Sequence, residues 1–244
     1  MRKILVSFLL LAVLSLIACQ KAQEIEGPSV KVEARLRLQT DEGQAIDKEI
    51  SLEGESGLEN LGKLVGFASG RFALIIETIR SNDSFTQEIE GRLNNGILEG
   101  MVTTYLVLDG QRYLVSEVTY RSDLQEGPIA SYYPMIGQVQ MTGSYVEGLK
   151  SGEFELFYPN GKLSVKMSYE RDILEGLCDV YDNTGTRVAS GIYRNGEYEG
   201  GTFVENLETF IQESISGQPM TVHIVTIKGA QVVEVVEKRI NQRS

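Results

Sequence analysis

An eight-residue phrase occurs five times in this 244-residue chain and constrains its fold more than any other feature of the sequence. Each copy has a large residue, two mainly polar residues, Gly or Asp, three further residues and a closing Gly. The copies are 93–100, 120–127, 145–152, 169–176 and 193–200. Their closing glycines are 24 to 27 residues apart. This period indicates a repeat architecture, in which each small unit buries its apolar face against its neighbours.

The second half of each repeat is also regular. An aromatic residue lies five residues after the closing Gly, and a Gly-containing turn follows at 109–110, 136–137, 160–161 and 184–185. The aromatic residues are Tyr105, Tyr132, Phe157 and Tyr181. Two short strands joined by such turns form one hairpin per repeat, because glycine reaches the positive φ that these turns need. The pattern therefore predicts an all-β fold, an elongated antiparallel sheet of stacked β-hairpins.

The regions on either side of the repeats also have strand patterns. Residues 30–38 alternate between apolar and charged side chains, and 71–80 and 85–92 flank a turn at 81–83. After the repeats, 208–215, 220–227 and 231–240 predict a terminal meander that caps the stack, although apolar residues four apart leave a helix open for 205–216. We expect five segments: a signal peptide 1–18, a flexible tether 19–28, an N-terminal β region 29–88, hairpin repeats 89–204 and a C-terminal β cap 205–244.

The first residues are typical of an export signal. Arg2 and Lys3 precede an uncharged stretch that ends in Leu16-Ile17-Ala18-Cys19. These last four residues resemble the lipobox of bacterial lipoproteins, which implies cleavage before Cys19, lipid such as palmitate on Cys19, and a membrane anchor in the cell envelope. By the same resemblance, Gln20 after the cysteine favours the outer membrane in a Gram-negative host. The alternative is an uncleaved N-terminal anchor.

The charge of the chain limits its partners. The formal net charge is −11. Removing residues 1–18 takes away Arg2 and Lys3 and no acidic residue, which leaves −13. An acidic body repels nucleic-acid phosphates and anionic lipids, so we expect no nucleic-acid binding and a membrane contact through the lipid alone. A protein partner with a basic surface remains compatible with this charge.

No group of residues in the sequence forms a recognisable catalytic or metal site. Cys178 falls at a repeat position that Val102 and Ile129 fill elsewhere, which indicates a buried thiol. The single histidine, His223, lies on an expected strand and has no second His or nearby Cys with which to bind zinc. We therefore expect a protein that is not an enzyme, with no catalytic residues, no metal and no cofactor.

Two series of repeat positions are candidate partner-binding residues. One is a line of carboxylates before the closing glycines, Glu99, Glu126, Glu175 and Glu199, at multiples of about 10 Å along the sheet. It favours either a solvated edge that discourages aggregation or a docking site for a basic protein. The other is Tyr120, Tyr145, Tyr169 and Tyr193. It favours either packing between repeats or a platform for stacking on sugar rings.

The repeats resemble a variant of the MORN repeat that occurs in bacterial proteins labelled as the YwqK antitoxin family. Residues 143–163 match best, and the resemblance covers 89–203. The position two residues after the closing Gly, where that family usually has Trp, here holds Val102, Ile129, Phe154, Cys178 and Thr202. The resemblance implies the repeat architecture. Cys19 and the five repeats favour a lipid-anchored scaffold or protein-binding module. The family label implies the alternative, an antitoxin-like or immunity-like inhibitor of a toxin. A glycan-binding module is a third hypothesis.

Overall fold

The computed structural model describes residues 31–50, 61–79, 84–217, 219–228 and 231–240. The expected signal peptide 1–18, Cys19, the tether and the turn at 81–83 lie outside these residues. Contacts within the chain divide it into two compact units, Met1–Gln125 and Glu126–Ser244. This division falls inside the expected repeat segment 89–204.

The first unit is an antiparallel sheet in its described part. Its strands are β1 Lys31–Thr40, β2 Ala45–Ile50, β3 Gly70–Ile79, β4 Ser84–Asn94, β5 Ile97–Leu98, β6 Gly100–Leu108 and β7 Gln111–Arg121. Pairing gives the order β2, β1, β3, β4, β6, β7, with β5 paired to the end of β4. A single helical turn, α1 Leu61–Leu64, precedes β3. The core contains alternate residues along the middle of β1 and along β3, such as Leu36, Phe72 and Leu74.

The second unit is also an antiparallel sheet. Its strands are β8 Leu124–Tyr132, which begins just before the division, β9 Val139–Val146, β10 Leu149–Lys150, β11 Gly152–Phe157, β12 Leu163–Glu170, β13 Ile173–Tyr181, β14 Arg187–Arg194, β15 Glu197–Val204, β16 Met220–Lys228 and β17 Gln231–Ile240. The order is β8, β9, β11 and then consecutive strands to β17, with β10 paired to β9. The predicted all-β class and antiparallel stacked hairpins are confirmed.

Within each unit, the closing glycine of one phrase lies opposite the first residue of the next. Gly100 pairs with Tyr120 in the first unit. Gly152 pairs with Tyr169 in the second unit, and Gly176 with Tyr193. The same relation holds earlier, since Gly70 of β3 pairs with Leu93, the first residue of the first phrase. The repeat pattern therefore begins in β3, before the predicted boundary at residue 89.

The last repeat differs from the prediction by one residue. Four closing glycines, at 100, 127, 152 and 176, have φ between 80° and 90°. In the fifth copy this backbone conformation belongs to Gly201 and not to Gly200. The buried aromatic two residues after it is Phe203, so the sequence assignment of Thr202 to that position was wrong.

The expected strand at 208–215 was wrong, and the alternative, a helix, is what forms. Helix α2 spans Leu207–Ser216. The side chain of Asn206 accepts a hydrogen bond from the Thr209 backbone N–H at 2.9 Å, and Gly217 ends the helix in the left-handed conformation. Phe210 and Ser214 are buried. The C-terminal cap is therefore a helix followed by the expected hairpin of β16 and β17.

Candidate interaction surface

The turns at the start of each phrase form a regular series. All five have two central residues with positive φ, at 50–52° for the first and 66–82° for the second, which defines type I′ turns. The central pairs are Asn95-Gly96, Ser122-Asp123, Glu147-Gly148, Arg171-Asp172 and Asn195-Gly196. Two of these pairs contain no glycine, and a non-glycine residue in this conformation needs other interactions to hold it.

Carboxylates of the preceding hairpin supply one of these interactions. Glu99 Oε2 accepts a hydrogen bond from the Ser122 backbone N–H at 3.1 Å. The same contact joins Glu126 to the Glu147 N–H at 2.8 Å and Glu175 to the Asn195 N–H at 2.7 Å. Three of the four predicted partner-binding glutamates therefore bind the next turn of their own sheet.

The aspartates of the phrase bind the hairpin before them. Asp123 Oδ1 accepts from the Leu98 backbone N–H, and Asp172 Oδ1 from the Lys150 N–H, both at 2.7 Å. The backbone N–H of Asp123 donates to the Leu98 carbonyl at 3.2 Å, and the backbone N–H of Asp172 donates to the Lys150 carbonyl at 3.0 Å. This explains why the fourth position of the phrase is Gly or Asp. Glycine adopts the left-handed backbone without strain, whereas aspartate offsets the strain with a hydrogen bond.

The last glutamate of the series differs. Glu199 accepts two hydrogen bonds from the Arg194 guanidinium, at 2.9 and 3.1 Å. These hydrogen bonds hold the pKa of the Glu199 carboxyl below its usual value. All four carboxylates therefore have a hydrogen-bond partner within the chain.

We expect Glu175→Ala to lower the free energy of unfolding by about 1 kcal/mol, the usual effect of removing a side chain that caps a backbone N–H. Urea unfolding followed by circular dichroism measures this loss. Glu170→Ala is the matched control. Glu170 is exposed on the adjacent strand β12, and its side chain makes no hydrogen bond among the described contacts. Equal losses in the two variants would contradict the assigned role of Glu175.

The tyrosine series packs between strands. Tyr145 and Tyr193 are buried, and Tyr120 and Tyr169 are half-buried. The Phe154 ring meets Tyr145 and Tyr169 edge to face, with centroid distances of 5.8 and 5.2 Å. Buried rings such as those of Tyr145 and Tyr193 cannot stack on a sugar. The packing alternative describes this series, and the structure gives no support to the glycan platform.

Sequence reasoning missed a second tyrosine series. Tyr133 and Tyr158 are buried, and their hydroxyls donate to the carbonyls of Phe157 and Tyr181, each at 2.7 Å. Each residue therefore joins its own hairpin to the next one. The equivalent position of the next repeat holds Asp182, which accepts a hydrogen bond from Lys238 Nζ of β17 at 3.1 Å.

The two residues considered for catalysis show no reactive arrangement. Burial and the neighbouring Asp179 carboxylate raise the pKa of the Cys178 thiol to about 12, so this thiol stays protonated at neutral pH. His223 is exposed, and its Nδ1 lies 3.0 Å from Glu205 Oε2. Among the described residues, no group of three His, Cys, Asp or Glu side chains could hold a metal ion.

One exposed apolar pair lies on the face of the second unit opposite its core. Leu177 and Ile192 are cross-strand neighbours on β13 and β14 and are 50% and 45% exposed. The next residues on the same strands, Cys178 and Tyr193, are buried in the core. Because side chains alternate along a strand, Leu177 and Ile192 point away from that core.

Ion pairs lie on the same two strands and on the neighbouring strands β11 and β12. Lys166 of β12 lies 3.0 Å from Glu153 and 3.2 Å from Glu155 of β11, and Arg187 lies 3.4 Å from Asp179. We call the surface formed by Leu177, Ile192, Lys166, Glu153 and Arg187 the outer patch. An apolar centre within a charged rim is the usual arrangement of a protein-binding surface.

No protein-family model matches this chain. No curated protein matches it either. Within the part of the chain that the structure describes, no helix is both long and apolar enough to cross a membrane.

Proposed function

We propose that this protein is a lipid-anchored component of the bacterial cell envelope that binds another protein through its repeat sheet and catalyses no reaction. The anchor is Cys19, and support for it comes from the sequence Leu16-Ile17-Ala18-Cys19 that follows a positively charged start and an apolar stretch. Two or more acyl chains on one residue give durable membrane attachment. The partner then meets the protein at the membrane face.

The outer patch is the observation that most strongly supports a binding role. Leu177 and Ile192 remain about half exposed, although the sheet has a core face on which apolar side chains of the same strands are buried. Scattered surface leucines are common, but a cross-strand apolar pair with ion pairs on its own strands and on the neighbouring β11 and β12 favours a contact with another protein. The carboxylate and tyrosine series make contacts inside the sheet, whereas Leu177 and Ile192 lie on its outer face, so we favour the outer patch over those two series.

The proposal is tested by crosslinking in intact cells that express the full chain with a C-terminal tag. We expect the anchored protein to recover a specific envelope protein, and Leu177→Glu to reduce this recovery at least about 10-fold, because a charge at the centre of an interface costs more than a charge at its rim. Ile136→Glu is the matched control, since Ile136 is an exposed apolar residue in a loop of the same unit, 58% accessible. Circular dichroism verifies that both variants are folded.

The anchor is tested in the same cells with Cys19→Ala. We expect this variant to leave the membrane fraction and to lose palmitate labelling. Recovery of the same partner by wild type and by Leu177→Glu would contradict the outer patch. Retention of label and membrane association by Cys19→Ala would contradict the lipid anchor.

A further inference from the structure

We propose that strand β17 is a self-association edge, at which a second copy of this chain adds its own β17 in antiparallel orientation about a two-fold axis through Val236. The two sheets then become continuous across the dimer. This inference is independent of the proposed outer patch and of the lipid anchor.

The first observation is the position of β17 in its unit. It pairs with β16 from Met220↔Ile240 to Lys228↔Gln231, and no other described strand pairs with it. An edge strand presents backbone N–H and C=O groups that can accept a further strand. Its side chains increase this tendency, since Val232, Val233, Val235 and Val236 are all between 46% and 61% exposed.

The second observation is that β17 is complementary to itself in one register. Opposite residues of an antiparallel pair lie on the same face, so a two-fold axis perpendicular to the sheet must pass through a residue of the strand. An axis at Val236 places Glu234 opposite Lys238 of the other copy, and symmetry forms this pair twice. Val236 then packs against Val236 of the other copy.

The neighbouring registers pair the charged residues of β17 less favourably. An axis at Glu234 or at Glu237 places two identical carboxylates opposite each other, which is destabilising. An axis at Val235 places Lys238 opposite Val232 and Glu237 opposite Val233, so no opposite charges meet. An axis at Lys238 pairs Glu237 with Arg239 twice, but it also places two lysines opposite each other. Only the Val236 register pairs opposite charges without a like-charge pair, so charge complementarity within β17 favours a second copy in this register.

Contacts inside the unit hold β17 in place for this pairing. Ile240 is buried, and Lys238 Nζ lies 3.1 Å from Asp182 Oδ2. A strand that is already ordered loses little conformational entropy when another strand is added to it.

Cysteine crosslinking of the full chain in detergent tests the register. We expect Val236→Cys to form a disulfide-linked dimer under mild oxidation, because the two thiols face each other at the axis. Val233→Cys is the matched control: it is similarly exposed, but residues 233 of the two copies lie about 20 Å apart in this register. Cys178 is buried, and the wild-type chain accounts for any reaction of Cys19.

A charge exchange tests the pairing itself, with analytical ultracentrifugation as the measurement. Glu234→Lys alone is expected to weaken dimerisation about 10-fold or more, since it places two Lys residues opposite each other at both symmetric positions. Mixed with Lys238→Glu, it is expected to form a heterodimer in preference to either homodimer. Circular dichroism shows that each variant is folded, which matters for Lys238→Glu because Lys238 contacts Asp182.

Other outcomes would overturn the proposal. A chain that stays monomeric at all concentrations would show that β17 does not bind a second copy. Open-ended oligomers without the Val236→Cys disulfide would indicate pairing of β17 with another edge of a second copy, such as β2. A dimer that Glu234→Lys does not weaken would place the interface elsewhere.

Discussion

Gly191→Ala is expected to lower the free energy of unfolding by about 3 kcal/mol, the upper part of the range for one added carbon in a close-packed site. A Cβ at Gly191 of β14 would lie 2.7 Å from Phe203 Cδ1 and closer still to two other carbons of that ring. The ring cannot move away, because Tyr193 meets it edge to face at 5.4 Å and Tyr198 lies 4.2 Å from it. Urea unfolding followed by circular dichroism measures the loss.

Gly200→Ala is the matched control on the paired strand β15. Neither glycine has positive φ, and a Cβ at Gly200 meets only the Ile227 carbonyl oxygen, at 4.0 Å. We expect Gly200→Ala to change the free energy of unfolding by less than about 0.5 kcal/mol. The double variant Gly191→Ala/Phe203→Leu should lose less than the sum of its single changes, because the smaller side chain admits the methyl group. Equal losses at Gly191 and Gly200 would contradict this packing.

The hairpins could be predicted from the sequence because their turns require rare backbone conformations. Asn95-Gly96 and Asn195-Gly196 are standard type I′ pairs. Arg171-Asp172 is not, and its place in the 24-residue period identified it as the same turn. The sequence could not show why aspartate is tolerated, because its hydrogen-bond partner, the Lys150 N–H, belongs to the preceding hairpin.

Tyr133 and Tyr158 were missed although a signal for them exists. Side chains of a strand alternate, so the residues two, four and six after a closing glycine share one face. After Gly152 these are Phe154, Leu156 and Tyr158, all of which are buried. The neighbouring aromatic, Phe157, is the more regular feature of the sequence, but it lies on the other face. Counting alternate residues from the closing glycine identifies which aromatic residue is buried. The presence of an aromatic residue at the same position of every repeat does not.

The helix α2 shows how local signals compete. Leu207, Ile211 and Ile215 recur at helical spacing, yet Phe210 and Ile211 also suit a strand. The deciding residues are at the ends, where Asn206 caps the first turn and Gly217 takes the left-handed conformation.

The glutamate contacts are harder to predict from the sequence. A carboxylate that binds the N–H of a turn 20 residues later has the same local sequence as a solvated one.

Alkaline unfolding of the second unit is expected between about pH 10 and pH 12, driven by its enclosed tyrosines. Burial raises the pKa values of Tyr133, Tyr158 and Tyr193 in the folded chain, and raises that of Tyr169 to about 12. The unfolded chain loses these protons near pH 10, whereas the folded chain keeps them. The unfolded state therefore binds fewer protons in this range, and stability falls as pH rises.

The free energy of unfolding is expected to fall steeply with pH in this range. Each fully shifted tyrosine contributes about 1.4 kcal/mol per pH unit, so the three buried residues together remove about 4 kcal/mol per unit, which approaches the whole stability of a typical domain. Circular dichroism and tyrosinate absorbance, recorded on the same samples, measure unfolding and ionisation together. The part of the absorbance change that belongs to these enclosed tyrosines should coincide with unfolding, because their hydroxyls ionise only when their strands open.

Tyr158→Phe isolates the contribution of this tyrosine, because every other titratable group is common to the variant and the wild type. At neutral pH the variant is expected to lose about 1 kcal/mol with the hydrogen bond to the Tyr181 carbonyl. Above pH 10 its stability should fall less steeply than that of the wild type, since one fewer buried proton is released. Unchanged steepness, or tyrosinate absorbance that rises fully before the circular dichroism signal is lost, would show that these tyrosines are not what holds neighbouring hairpins together.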